Sequence, residues 1–401
     1  MNISRFLLSA LLVGVLPVAA QTDPQPTKGL PYPIVSSEEV VRLANLKTIQ
    51  LHLRDVTLKD ALEQLAKQTG INIETRYSPA GELSKKLSLD IETESFETAT
   101  DAIFEEAGVK ASLQDFGVGR SLGIQWGENM QRGQDAPVSG TKLFPIKLIS
   151  LSTSQSRTMR MAKPPALSQY SNLHATLLPI VDVRLPILST GTEFSRVEDD
   201  QGRLLPLMAD PPFFSDSFNS ARMLGLGTPA SDARSINHLE GKFTYILIAK
   251  RETWELPDVL NAKDAGHDFQ AGAVKVHLSV LSARKTDDGI ELNISVKELT
   301  PTKGIFDGQR HPLMQFKQLA TSMRVVDANG QVLMNGGFSG GGGGSELNGR
   351  VRYSVPQPFP PNPDPVVPPT TFKEPLKLII NSPSELVQIQ VPFSFENVPL
   401  P

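Results

Sequence analysis

The sequence predicts a multi-domain α+β protein, in which a small βαβ-type unit is followed by two mainly antiparallel β-sandwiches. Three observations predict this. The chain has 401 residues, and at roughly 150 residues per domain that is about three domains. Apolar residues recur at helical spacing through residues 48–127, and from Thr141 onward that period gives way to alternation and turn signals. Hydrophobic residues make up 39% of the chain, enough for packed cores rather than wholesale disorder.

Composition also excludes chemistry. There is no cysteine, which removes disulfide scaffolds, cysteine-ligated zinc, iron–sulfur clusters and thiol nucleophiles. The net charge is -4 and no basic stripe runs along the chain, so a nucleic-acid partner is not expected.

Residues 1–20 have the order of a secretory signal: Arg5, an apolar stretch from Phe6 to Val15, a breaker at Pro17 and small residues at Val18-Ala19-Ala20. The apolar stretch is shorter than the ~20 residues that a span requires. The expectation is an exported chain cleaved after Ala20, with no integral membrane segment in the mature protein. Residues 21–47 form a linker with Pro24, Pro26, Pro31 and Pro33, followed by a short helix from Ser36-Ser37-Glu38-Glu39 to about Leu46.

Residues 48–127 hold a duplicated strand–helix unit. Leu51 and Leu53 alternate with polar neighbours as a strand; Thr57 caps a helix whose inner face is Leu58, Ala61, Leu62, Leu65, Ala66 and Thr69; Gly70 closes it. The pattern returns 38 residues on, with Leu89 and Ile91 for the strand, Ser95 for the cap, Phe96, Ala99, Ile103 and Ala107 for the face, and Gly108 as the stop. Two such units predict one small sheet with both helices packed on it. Leu113, then Leu122, Ile124 and Trp126, supply its last strands.

The run IQLHLRDVTLKDALEQLAKQTGINIE, followed by LSLDIETESFETATDAIFEEAGVKASLQ and LGIQW, resembles the short N-terminal domain shared by secretins and TonB-dependent signal transducers. Asp55, Val56, Leu58, Ala61, Leu62, Leu65, Ala66 and Gly70 carry the match. The resemblance implies that fold, a periplasmic setting and protein–protein contacts with another envelope protein. The matching positions are structural, so it implies no catalytic residue. After residue 127 the chain departs from that family.

Residues 141–262 and 268–401 are expected to be the two sandwiches. Phe243–Ile248 and Val274–Val280 look like buried strands, and Asp287-Asp288-Gly289 reads as a hairpin turn into Ile290, Leu292, Ile294 and Val296. Two internal echoes suggest duplication: 197–205 against 326–333, and 239–245 against 347–353. Pro211–Ala233 is expected to be a long loop. Gly336–Ser345 holds seven glycines and Pro356–Pro369 eight prolines, a flexible stretch and then a stiff connector. Val387–Phe395 alternates as a final strand.

Candidate chemistry is thin. Gly337-Phe338-Ser339-Gly340-Gly341 fits G-x-S-x-G on paper, but no helix follows and only His311 is loosely near. The same glycines lack the Lys-Ser or Lys-Thr of a phosphate loop. Gly225-Leu226-Gly227-Thr228-Pro229-Ala230 fits a dinucleotide fingerprint, spoiled by Pro229. His52, His174, His238, His267, His277 and His311 include no H-E-x-x-H pair; His267, Asp268 and His277 are the nearest to a metal set. Asp199-Asp200 with Asp210, and Asp264 with Asp268, read as turn formers rather than calcium ligands. Asn293-Ile294-Ser295 is a sequon inside a strand; Trp126 and Trp254 read as packing residues. Glu38-Glu39 and Glu105-Glu106 read as solvated helix faces. No catalytic residue, cofactor or metal site is expected. The expectation is a non-enzymatic, exported protein of a bacterial envelope, in the periplasm or at the cell surface, that binds a partner through sheet edges or loops. The alternative is a structural or surface-associated protein that binds glycan or its own copies.

Overall fold

In the computed structural model, residues 32–75, 78–115, 121–127, 136–160, 166–205, 221–263, 265–271, 274–299, 323–343, 346–355 and 372–401 are described. The expected signal (1–20), most of the linker, and Pro356–Pro369 lie outside them. Among the described residues the fold is mostly β, with 60% strand against 13% helix and several antiparallel sheets, so the β-rich character read from the sequence holds.

Helix α1 (Ser37–Ala44) starts where Ser36 Oγ accepts the Glu39 N–H and stops at Asn45, left-handed at φ 49°. The chain ahead of it is not a free linker. Val35 donates to the Gln388 carbonyl and Gln388 to that of Pro33, both at 2.9 Å, and the Gln388 amide donates to Tyr32 O at 2.7 Å.

Strand β1 (Ile49–Thr57) leads into α2 (Leu58–Thr69) and β2 (Asn72–Glu74). After the single turn α3 (Ala80–Leu83), β3 (Lys86–Thr93) leads into α4 (Phe96–Glu106), β4 (Ala111–Asp115) and β5 (Ser121–Trp126). The caps fall where the pattern put them: Thr57 Oγ1 accepts from Asp60 N at 3.2 Å and Ser95 Oγ from Thr98 N at 3.2 Å. Gly70 is left-handed at φ 72°. The single expected sheet is instead two. β1 pairs antiparallel with β3, whereas β2 runs parallel to β5, which pairs antiparallel with β4. The strand before each helix therefore enters one sheet and the strand after it the other. The reason is layering: α2 touches β1 and β2, and α4 touches β3 and β4. Leu58, Leu62, Leu65, Phe96 and Ile103 can then be buried from two sides, joined in one core by Leu53, Ile91, Leu122 and Ile124.

The remaining strands are β6 (Val138–Gly140), β7 (Pro145–Arg160), β8 (Ala166–Pro179), β9 (Ile187–Asp199), β10 (Arg222–Leu226) and β11 (Ser235–Leu256). Then come β12 (Ala265–Ala271), β13 (Val274–Thr286), β14 (Gly289–Glu298), β15 (Met323–Val326), β16 (Met334–Gly343), β17 (Glu346–Ser354) and β18 (Lys377–Pro399). One flanking sheet has the order β10-β8-β7-β6 and another β12-β13-β14-β17-β16; a central sheet, β15-β18-β11-β9, serves both.

β11 (22 residues) and β18 (23 residues) run antiparallel along nearly their whole length. The first half of β11 pairs on its other side with β9, and the first residues of β18 pair on theirs with β15. The second half of each strand then crosses into the other's territory. Val387, Ile389, Val391, Phe393 and Phe395 of β18 join the core of Phe144, Leu177, Phe243 and Tyr245. Trp254 of β11 meets Phe269 of β12, 6.3 Å between centroids. The stretches expected as 141–262 and 268–401 are thus joined by a reciprocal exchange of strand halves. Gly241 is required between β9 and β18, because a Cβ there would sit 2.4 Å from the Glu193 carbonyl and 2.5 Å from the Phe393 ring.

The first echo is a twin turn. At the ends of β9 and β15, Asp199 and Asp327 are both buried. Asp199 Oδ1 accepts the N–H groups of Gln201 and Arg203, at 3.1 and 2.9 Å, and its Oδ2 that of Ala230 at 2.8 Å. Asp327 does the same with Asn329, Gln331 and Lys373, at 2.9, 2.8 and 3.0 Å. Gly202 and Gly330 supply the positive φ. Ala230 and Lys373 lie just ahead of β11 and β18, so these two long strands are counterparts. The second echo, 239–245 against 347–353, is not: β11 is in the central sheet and β17 in a flanking one.

Candidate binding surface

Two polar faces stand out, and each is built by alternation in an antiparallel pair. The first is on the β1–β3 sheet. Leu51, Leu53, Leu87 and Ile91 point to the core, so Gln50, His52, Arg54, Asp90 and Glu92 are left on the open side. Asp90 holds His52 Nδ1 at 2.9 Å and Arg54 Nη2 at 2.6 Å. Arg54 first, and His52 after it, keep the Asp90 carboxyl below the usual range. Lys86 Nζ meets Asp55 at 2.6 Å, and the Gln50 amide donates to Glu92 at 3.2 Å. Among the described residues no third strand joins this sheet.

This α/β unit is pinned to the body. Asp182 and Arg184, in the turn between β8 and β9, form a buried pair 2.7 Å apart, with side chains 4% and 8% exposed. Arg184 donates to the Lys47 carbonyl at 2.7 Å and to that of Glu94; Asp182 accepts the Phe96 N–H at 3.0 Å. The pair thus grips the entry to β1 and the start of α4 together. Burying two charges is tolerable only when such bonds satisfy both. The signal is present in the sequence, as opposite charges two apart inside the apolar run Leu177–Leu188.

The second face is the outer side of β14, β17 and β16. Leu281, Asn293, Ile294, Ser339, Gly340, Asn348, Gly349 and Arg350 line a shallow cleft of about 550 Å³. Gly340 and Gly349 lend it their backbone, and neither can gain a side chain. A Cβ on Gly349 would be 2.2 Å from the Phe338 ring, and one on Gly340 2.4 Å from the Asn348 carbonyl. At one end Glu291 Oε1 receives Arg284 Nε at 2.8 Å and Arg350 Nε at 3.3 Å. Both arginine side chains are more than half exposed, 64% and 55%. At the other end Glu346 accepts from Ser295 and Asn348, each at 3.1 Å.

The remaining candidates disperse. Ser339 lies in β16 opposite Arg350, with no strand-to-helix elbow; His311 lies outside the described residues, as do Asp210 and Asp264. Gly225 and Leu226 belong to β10, and the Ala230 N–H is taken by Asp199. His267 and His277 sit on opposite faces of the β12–β13 pair. His267 stacks on Trp254 at 5.5 Å and meets Glu252 at 3.2 Å, whereas His277 meets Asp268 at 2.7 Å, with Lys275 at 3.0 Å. Among the described residues no group of three His, Asp or Glu could hold a metal ion. His52 is on the β1–β3 face, His174 pairs with Ser154 at 2.8 Å, and His238 stands 3.7 Å from Glu240. Asp200 accepts the Arg234 N–H, and the Trp126 indole donates to Ser78 at 3.2 Å. Glu39 pairs with Arg42 in α1.

Among the described residues no helix is long and apolar enough to cross a membrane. Comparison with family models, curated proteins and solved structures finds no match to the chain.

Proposed function

We propose that this is an exported, non-enzymatic protein of a bacterial envelope, whose residues 48–127 form a secretin-type domain that docks another envelope protein. In this reading the two β-sandwiches, about 141–262 and 268–401 with their last strands exchanged, are the rigid carrier of that domain. The observation that supports it most is the Asp182–Arg184 pin. It holds the α/β unit in one orientation and leaves the charged β1–β3 face, with its two strand edges, turned outward. An open edge offers main-chain donors and acceptors to an extended partner, with no catalytic side chain needed.

The test is a photo-crosslinking side chain at Glu92, on the open face of β3, in cells fractionated after irradiation. The expected result is a mature chain in the periplasmic fraction carrying one discrete adduct, absent when the crosslinker replaces Lys59 on α2. Retention of the chain in the cytoplasm, or the same adducts from both positions, would overturn the proposal.

A further inference from the structure

We infer that Asn335 is a site of spontaneous modification, where the Gly336 nitrogen displaces ammonia from the side-chain amide and water then leaves an aspartate or an isoaspartate. This goes beyond the function above and does not depend on it.

An asparagine followed by glycine is open to this reaction because glycine has no Cβ to shield its nitrogen. The chain has three such pairs, Asn329-Gly330, Asn335-Gly336 and Asn348-Gly349. Ring closure requires Cγ to lie over the next backbone nitrogen, and the main chain there to turn out of its paired conformation. Asn348 is in β17 opposite Ser295 of β14 and Gly341 of β16, and its amide is drawn to Glu346 at 3.1 Å. Turning the chain there breaks pairing on both sides. At Asn329 the next nitrogen is engaged: the Gly330 N–H donates to the Asp327 carbonyl at 3.0 Å, and the Asn329 N–H to the buried Asp327 carboxylate at 2.9 Å.

Asn335 differs in both respects. It lies opposite Tyr353, and Phe338 lies opposite Val351, so Gly336 and Gly337 together oppose Arg352 as a bulge outside the regular ladder. No described strand pairs with the other side of β16. Gly337 stands at φ 105°, and its N–H turns back to Asn335 Oδ1 at 2.8 Å. That bond curls the side chain over the Gly336 nitrogen. It also puts a donor on the oxygen that gains negative charge when Cγ is attacked. Both glycines are exposed, so water reaches the bulge.

The steps balance without a redox partner. The Gly336 nitrogen gives its proton to solvent base and bonds to Cγ, and the Cγ–Nδ2 bond breaks as Nδ2 takes a proton and leaves as ammonia. Water then opens the succinimide. Cleavage at the side-chain carbonyl gives aspartate; cleavage at the main-chain carbonyl gives isoaspartate and runs the chain through Cβ. Either product adds one negative charge, and the second adds one carbon to the backbone of β16 ahead of Phe338.

The test incubates the purified protein in mildly alkaline buffer and follows all three sites by peptide mapping and mass spectrometry, folded and in urea. The expected result is that Asn335 converts about tenfold or more ahead of Asn329 and Asn348 in the folded protein, and that this lead disappears in urea. Amide-exchange protection of β16 is expected to fall as isoaspartate accumulates. In Asn335→Gln, whose ring would be larger and slower to close, protection is expected to persist through the same incubation. Three outcomes would overturn the proposal: no conversion in the folded protein; conversion of Asn329 or Asn348 as fast as that of Asn335; or the same lead in urea, which would make it a property of neighbouring residue types rather than of the bulge.

Discussion

The two halves of the β body are built on one frame and differ at the surface. In each, an edge strand of the central sheet ends in a buried aspartate, β9 at Asp199 and β15 at Asp327, and that carboxylate ties the turn to the loop entering a long strand. The flanking sheets differ. One has four strands, whereas the other has five, with the glycine strand β16 on the outside. The first half encloses an aromatic chain, with Phe144 4.8 Å from Tyr245 and Phe243 5.7 Å from Phe393. The second carries the open cleft. The frame is shared, and the distinguishing surface sits on the added strand.

The shared frame is broken most severely by ending the chain at Ser384. If the halves were independent, the first would survive. Because strand halves are exchanged, truncation removes Val387, Ile389, Val391, Phe393 and Phe395 from the core of the first half. At about 1.5–3 kcal/mol for each buried side chain, the loss is of order 10 kcal/mol, comparable to the whole stability of a domain. The expected outcome is loss of amide-exchange protection in β9 and the first half of β11. Protection retained there would show that the exchange carries no weight.

Next in size are the twin aspartates. Asp199→Ala and Asp327→Ala each leave three backbone N–H groups without their acceptor, and the expected cost is about 3–5 kcal/mol each by urea unfolding. Equal costs would sharpen the equivalence of the two turns. Burial raises the pKa of each carboxyl, but the three N–H bonds outweigh it and leave both lowered. A lowered folded pKa contributes stability above the unfolded value, near 3.9, which is lost as pH falls through the folded one. The wild type is therefore expected to weaken as pH falls below about 4, and Asp199→Asn with Asp327→Asn to weaken less steeply over that range.

Breaking the pin tests the other boundary of the body. Arg184→Ala leaves Asp182 buried and unpaired, for an expected cost of about 3–5 kcal/mol. Faster exchange of the Phe96 amide, whose acceptor is Asp182, would confirm that the pin holds the α/β unit. Unchanged exchange there would assign the docking to apolar contacts such as Val183 instead.

How much of this could be read in advance depends on the kind of element. The helices α2 and α4 were legible residue by residue, because a 3.6-residue period and a Thr or Ser cap are local properties. The division of their strands between two sheets was not, since pairing partners lie 42 residues apart, as Gln50 and Glu92 do. The Asp199 and Asp327 turns showed as an echo because a buried turn constrains several adjacent residue types at once. The equivalence of β11 and β18 did not, because any alternation of apolar residues satisfies a strand. Of the candidate surface, Gly336–Ser345 reads as flexible chain from composition, yet residues 336–343 belong to β16, whose pairing with β17 is a contact between separate strands that composition does not show.

The smallest expected effect separates the glycines of the added strand. Gly349→Ala puts a methyl 2.2 Å from the Phe338 ring, so the ring must move or β16 must shift away from β17, at a cost of about 1–3 kcal/mol. Gly341→Ala meets nothing within 4 Å and removes unfolded-state freedom, so it is expected to be neutral or stabilising by up to about 1 kcal/mol. Thermal unfolding of the two single variants reads the difference directly. If both are neutral, Phe338 is not what seats the strand, and β16 is held by backbone pairing with β17 alone. If Gly349→Ala alone is destabilising, the same side chain that organises β16 also explains why the cleft floor has to be glycine.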